Sequence, residues 1–88
     1  MAALPELAES FIAIIKKYGG ATTPDIDIVA EAMRNWLRKG YDVFQRQILK
    51  TFESILSSKT KRAEAVEEFY RVNKLRIAEL VLSEKEIK

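Results

Sequence analysis

The stretch Met33–Arg62, MRNWLRKGYDVFQRQILKTFESILSSKTKR, decides how this chain is read. A single glycine, Gly40, separates two runs with helical spacing. Before it, Ile26, Val29, Ala30, Met33, Trp36 and Leu37 recur three and four residues apart. After it, Phe44, Ile48, Phe52 and Ile55 do the same, with Leu49 and Leu56 widening the stripe. The spacing predicts a second helix over about 24–39 and a third over about 41–57. The same stretch carries the only tryptophan and eight basic residues: Arg34, Arg38, Lys39, Arg46, Lys50, Lys59, Lys61 and Arg62. Only Asp42 and Glu53 oppose them, so the segment is +6 within a chain whose net charge is +2. Segregated charge of this kind makes a local field that attracts polyanions even where the total is near neutral.

Working outward, residues 4–18 read as a first helix. Pro5 suits the first helical position, Glu6 and Glu9 sit near the positive end of the dipole, and Lys16 and Lys17 near the negative end. Leu4, Leu7, Ala8, Phe11, Ile14, Ile15 and Tyr18 form its apolar stripe, and Gly19-Gly20 ends it. No G-x-x-x-x-G-K-[ST] pattern surrounds that glycine pair, so it reads as a helix cap and not as a phosphate loop. Thr23 is the expected N-cap of the second helix and Pro24 its first residue. Asp25 and Asp27 complement its dipole; an EF-hand would need a third ligand and a glycine that this run lacks. On the other side, Ser57-Ser58-Lys59-Thr60 reads as a polar connection, followed by one long helix over about 61–84. Val66, Phe69, Tyr70, Ile77, Leu80 and Val81 make one face of that helix. Val72, Leu75 and Leu82 lie off it and are expected to contact another chain, because a helix apolar on more than one side has more than one neighbour.

Eighty-eight residues with 48% hydrophobic content imply one small, folded domain. The fold expected is all-α: a compact four-helix bundle-like single domain spanning residues 1–88. The absence of cysteine and histidine removes disulfides, thiolate nucleophiles, the commonest general base and the commonest zinc ligands. No cofactor, metal or catalytic residue is expected, and the chain reads as a non-enzyme. Glu64, Glu67 and Glu68 are more simply ion-pair partners on a helix surface, with Glu67 four residues before Arg71. The N-terminal MAALPELAES lacks the basic region and apolar run of a signal peptide, and no stretch is long enough to span a bilayer. A cytoplasmic setting without membrane contact is the expectation. Richness in Lys, Glu, Arg, Ala, Leu and Ile, with little Asn or Gln, leans toward thermophile usage.

Two function classes remain. A helix-turn-helix around Gly40 is disfavoured, because both predicted helices are about four turns long and join as an antiparallel hairpin. Lys59, Lys61 and Arg62 are the sharper signal: they place positive charge at a predicted helix start, against the macrodipole, where a bound anion would gain from them and from the free N–H groups together; a solvated loop with basic residues kept for solubility has equal weight. Trp36 and Tyr41 flank Leu37-Arg38-Lys39-Gly40, an interleaving that stacks bases in some proteins, although Trp36 also falls on the core stripe. The favoured expectation is a nucleic-acid-binding accessory subunit of a larger nucleoprotein complex. It would contact DNA or RNA phosphates non-specifically through about four to six of the eight basic residues. The alternative is a protein-interaction or scaffold subunit, or a homo-oligomer, docking through Val72, Leu75 and Leu82 without touching nucleic acid. Whether the cations converge on one face separates the two.

Overall fold

The computed structural model describes residues 3–20 and 24–87, with residues 84–87 described by backbone alone. The described residues form helices and no strand: α1 (Ala3–Lys17), α2 (Ile26–Lys39), α3 (Tyr41–Ile55), α4 (Lys59–Val72) and α5 (Lys74–Ile87). The fold is all-helical and bundle-like, as the periodicity predicts, but it has one helix more than expected.

α1 packs against α2 and α4, and α3 packs against the same two helices. Helices α1 and α3 therefore sit on one diagonal of a four-helix square, and α2 and α4 on the other. α5 leaves the square and lies against α1 and α2. Side-chain pairs give the directions. Tyr18 reaches Glu68, Ser10 meets Asn73 and Glu6 meets Arg76, so α4 runs antiparallel to α1. Glu53 faces Arg62, whereas Tyr41 shares a cleft with Tyr70 and Lys74, so α4 also runs antiparallel to α3. The bundle thus has two ends. One holds Gly19, Gly20, Ile55 and the start of α4; the other holds Gly40, Tyr41 and the α4–α5 junction.

The centre of the core is three phenyl rings from three helices. Phe11 of α1 lies 4.7 Å from Phe52 of α3 and 5.5 Å from Phe69 of α4, centroid to centroid, and Phe52 lies 6.1 Å from Phe69. Leu7, Ile15, Met33, Phe44 and Ile48 are fully buried around them, with Val29 and Ile77 close to it. Trp36 departs from the expected core: it is half-buried, its ring edge-on to Phe44 at 6.5 Å. Leu49 departs further, at 44% exposed. It stands on the solvent side of the α3 stripe, beside a groove shared with Ala63 and Val66 of α4.

The glycines act where the chain reverses. At the end of α1, Gly19 takes φ +88°, its N–H donates to the Lys16 carbonyl, and the Gly20 N–H donates to the Ile15 carbonyl at 2.9 Å. This is a Schellman cap, which satisfies the last free carbonyls of the helix. Gly40 serves two helices at once. At φ 140° its N–H donates to the Trp36 carbonyl, closing α2, and its own carbonyl accepts from the Phe44 N–H, opening α3. A one-residue junction is shorter than the turn of a helix-turn-helix, so that assignment does not hold.

Several boundaries shift, each for a local reason. Thr23, the expected N-cap of α2, lies outside the described residues. Asp25 caps the helix instead, its carboxylate accepting from the Asp27 N–H at 2.8 Å, so Pro24 precedes the helix and does not open it. α3 stops at Ile55, with Leu56 turning inward in extended conformation and buried. α4 starts at Lys59, earlier than expected, because Ser58 supplies an N-cap oxygen to the Lys61 N–H.

The long final helix expected over about 61–84 is two helices, broken at Asn73. Asn73 is fully buried. Its side-chain amide donates to the Ser10 hydroxyl and to the Phe69 carbonyl, both at 2.9 Å, and its side-chain oxygen accepts from the Arg76 guanidinium. Arg76 in turn donates to Glu6 at 2.9 Å. A buried amide with every contact satisfied tolerates the interior, whereas an unpaired one would not. The bonds tie the break to α1 at two points.

Replacing Phe52 with alanine should lower unfolding free energy by about 3–5 kcal/mol, because the site is surrounded by rigid rings and cannot collapse. Urea unfolding followed by circular dichroism measures this; a loss below about 1 kcal/mol would remove the phenyl cluster from the centre of the account.

Candidate nucleic-acid interface

The eight cations of the Met33–Arg62 stretch do not converge on one face, and dispersion of the full set is what the scaffold alternative expects; only the five on the α2–α3 hairpin stay on adjacent helices. α3 is 15 residues long, so it carries the chain about 22 Å from one end of the bundle to the other. Arg38 and Lys39 lie in the last turn of α2, at the Gly40 end. Arg34 lies one turn earlier, and Arg46 and Lys50 occupy the first two-thirds of α3. All five are exposed. Between Arg34 and Lys50 the only acid is Asp42, which leaves this part of the hairpin at +4. Asp42 sits 4.0 Å from Arg46, an exposed i,i+4 pair of little strength. Arg34, Arg38, Lys39 and Lys50 belong to none of the ion pairs among the described residues.

Lys59, Lys61 and Arg62 stand at the opposite end, and one of the three is paired within the fold. Arg62 is half-buried with its guanidinium 3.8 Å from the Glu53 carboxylate, bridging the start of α4 to the end of α3. The Lys61 ammonium lies 4.0 Å from the point where a side chain on Gly19 would begin. That places it over the C-terminal turn of α1, where the carbonyl ends of the dipole attract a cation. Of the positive charge at the start of α4, only that of Arg62 has an ion-pair partner among the described residues.

A second polar constellation joins α1 to α4. The Lys17 ammonium and the Tyr18 hydroxyl both donate to the same Glu68 oxygen, at 2.8 and 2.7 Å. The Lys17 bond, then the Tyr18 bond, hold the Glu68 carboxyl below its ordinary range. The bond to Glu68 likewise raises Lys17 and Tyr18 above theirs. This is a clamp between two helices. Among the described residues no group of three or more His, Cys, Asp or Glu is placed to hold a metal. No described helix is long and apolar enough to cross a membrane.

At the Gly40 end, Tyr41 and Gln45 of α3 face Glu67, Tyr70 and Arg71 of α4 and Lys74 and Ile77 of α5 across an open cleft. The expected Glu67–Arg71 ion pair is not among those formed by the described residues; both side chains line the cleft instead. Burial pushes the Tyr70 phenol up to about 12. The spacing places Tyr70 on the apolar face of the last helix and Arg71 and Lys74 on its surface, and nothing in it sets the three apart as a site. Val72, Leu75 and Leu82 are 49%, 77% and 59% exposed, on the outer side of the α4–α5 junction and of α5. No protein-family model, curated protein or solved structure matches the chain.

The clamp makes a pH prediction. A carboxyl with a depressed folded pKa contributes stability above the unfolded value, and that stability is lost as pH falls through the folded value. Stability should therefore drop below about pH 4.3, the ordinary glutamate range, and Glu68→Gln should flatten that part of the profile. Thermal melts between pH 2 and 7 measure it; an unchanged profile in the variant would assign the acid transition to other carboxyls.

Proposed function

We propose that this protein is a non-catalytic nucleic-acid-binding subunit that contacts phosphates through the Gly40 end of the α2–α3 hairpin. The observation that carries the reading is the charge along the hairpin: five exposed cations, Arg38 and Lys39 next to Gly40 and Arg34, Arg46 and Lys50 further along the two helices, against Asp42 alone. Arg38 and Lys39 sit in a last helical turn, where the dipole favours them, so holding them together costs the fold little. Lysine and arginine on such a surface bind nucleic acid by releasing counterions from phosphates, which gives weak, salt-sensitive and sequence-independent association. The scale is roughly 10⁻⁴ to 10⁻⁶ M at physiological salt. Lys59, Lys61 and Arg62 play at most a secondary part, since they lie at the far end and Arg62 already serves Glu53.

Charge reversal at the two ends tests the reading. Arg38→Glu with Lys39→Glu should weaken binding of a labelled duplex at low salt at least about tenfold. Lys59→Glu with Lys61→Glu should change it less than about threefold. Fluorescence anisotropy is the readout. Equal losses from both pairs, or no binding of duplex or single strand at tens of micromolar protein, would remove the hairpin from the role.

A protein-interaction role is favoured by a different observation. α5 presents Ile77, Leu80 and Val81 to the bundle and, on its other side, exposed Leu75 and Leu82. A second apolar face on one helix is unusual for an isolated domain of this size. If that face is a contact surface between copies, sedimentation at tens of micromolar should show a species heavier than the 10.1 kDa chain, and Leu75→Glu with Leu82→Glu should abolish it. A strict monomer at that concentration would leave the face to a different protein.

A further inference from the structure

The cleft at the Gly40 end is unused by phosphate contacts along the hairpin, yet it opens beside them. It is an open cleft of about 520 Å³ between the first turns of α3 and the α4–α5 junction, wide enough to admit a small ligand from solvent. Tyr70 is half-buried, but its hydroxyl is wholly buried and bonds to no protein group. A buried hydroxyl without an acceptor is costly to the fold; with no accessible surface of its own, it meets an acceptor in the cleft only if the Tyr70 ring turns toward the opening, a movement that such a pairing would favour. The phenol, raised to about 12 by burial, remains a donor throughout the physiological range. Arg71 and Lys74 are exposed and belong to none of the ion pairs among the described residues. The wall opposite is Tyr41, 40% exposed, whose ring is stacked on Phe44 at 6.1 Å with 17° between the planes. Ile77 supplies apolar surface and Gln45 an amide that both donates and accepts. Glu67 is the only acid of the lining.

We propose that this cleft seats one unpaired nucleotide of a bound single strand, its base against Tyr41 and Ile77 and its phosphate at Arg71 and Lys74; the proposal rests on the nucleic-acid reading above. The chemistry selects a nucleotide over a bare anion. Inorganic phosphate would meet the two cations but would also meet Glu67, and it would leave the aromatic and apolar wall uncovered. A nucleobase covers that wall, offers amino hydrogens to Glu67 or Gln45, and offers a ring acceptor to the Tyr70 hydroxyl once that ring has turned. The phosphate then pairs with Arg71 and Lys74, the arginine through its planar fork. A base held in a duplex cannot turn into the cleft, so the site distinguishes single strands from double strands where the hairpin cations do not. Tyr41 follows Lys39 by two residues, so the cleft and the hairpin cations sit at the same end of the bundle.

The test uses the whole chain labelled with ¹⁵N and titrated with adenosine 5′-monophosphate, adenosine or inorganic phosphate. The monophosphate should shift the amides of Tyr41, Gln45, Tyr70, Arg71 and Lys74, and each half-ligand should shift them less. Arg71→Gln with Lys74→Gln should remove the response, while Tyr70→Phe, which keeps the ring, should weaken it. In strand binding, Tyr41→Ala should lower single-strand affinity about fivefold or more, with duplex affinity changing less. If the monophosphate moves none of these amides while duplex binding through Arg38 and Lys39 persists, the cleft proposal is overturned and the hairpin stands. If inorganic phosphate moves them as strongly as the monophosphate, the nucleotide assignment is overturned. If the monophosphate binds the cleft but neither strand nor duplex binds the protein, the placement within a strand is overturned, together with the hairpin.

Discussion

Everything else in this molecule depends on the meeting of Phe11, Phe52 and Phe69. The three rings come from α1, α3 and α4, and none is more than 1% exposed. Removing each from water is worth about 1.5–3 kcal/mol, and well-oriented ring pairs add roughly 0.5–1.5 kcal/mol. The contact spans the diagonal of the helical square, so it holds α1 and α3 at a fixed separation while α2 and α4 fill the sides. Gly20 is part of the same constraint. A Cβ there would collide with the Ile15 side chain and lie 3.1 Å from Ile55, so the chain leaving α1 passes against the end of α3 only because the position is glycine.

That arrangement determines what the charges can do. Once α3 must cross the bundle to bring Phe52 to Phe11, the basic residues on either side of it are carried to opposite ends. A run of cations contiguous in the chain is divided between the α2–α3 hairpin, where Arg34, Arg38, Lys39, Arg46 and Lys50 are spread along two helices, and the start of α4, where Arg62 pairs with Glu53. Asn73 has the corresponding effect on the other side of the fold. By spending its side chain on Ser10, the Phe69 carbonyl and Arg76, it interrupts the last helix and ties the break to α1. The turn residues Arg71 and Lys74 then flank a cleft rather than lying along an uninterrupted helix surface.

The core was legible in the sequence because helical spacing is a local property. Phe44, Ile48 and Phe52 recur every four residues, and all three are fully buried. Trp36 sits at the edge of the α2 stripe, where one residue's rotation decides between burial and half-burial, and periodicity cannot resolve that. Asn73 was not legible: its principal partner, Ser10, is 63 residues away, and a lone asparagine within an apolar pattern looks like a tolerated surface residue. The site followed the same division. The charge of the stretch was visible residue by residue, but the pairing of Arg62 with Glu53 and the placement of Lys61 over the end of α1 are tertiary facts. So is the cleft, which needs Tyr41 and Tyr70 to be neighbours across two helices.

The central claim is that phosphate binding is confined to the hairpin end, and the number of phosphates neutralised reports on it directly. With five cations spread around two helices, about two to four reach one duplex, which gives a slope of log K against log salt of about −2 to −4. The measurement is duplex binding by the unmodified protein across a series of salt concentrations. A slope in that range supports the account. A slope steeper than about −5 would require the cations of both ends on one duplex, and a slope near zero would mean that phosphates are not what the hairpin binds.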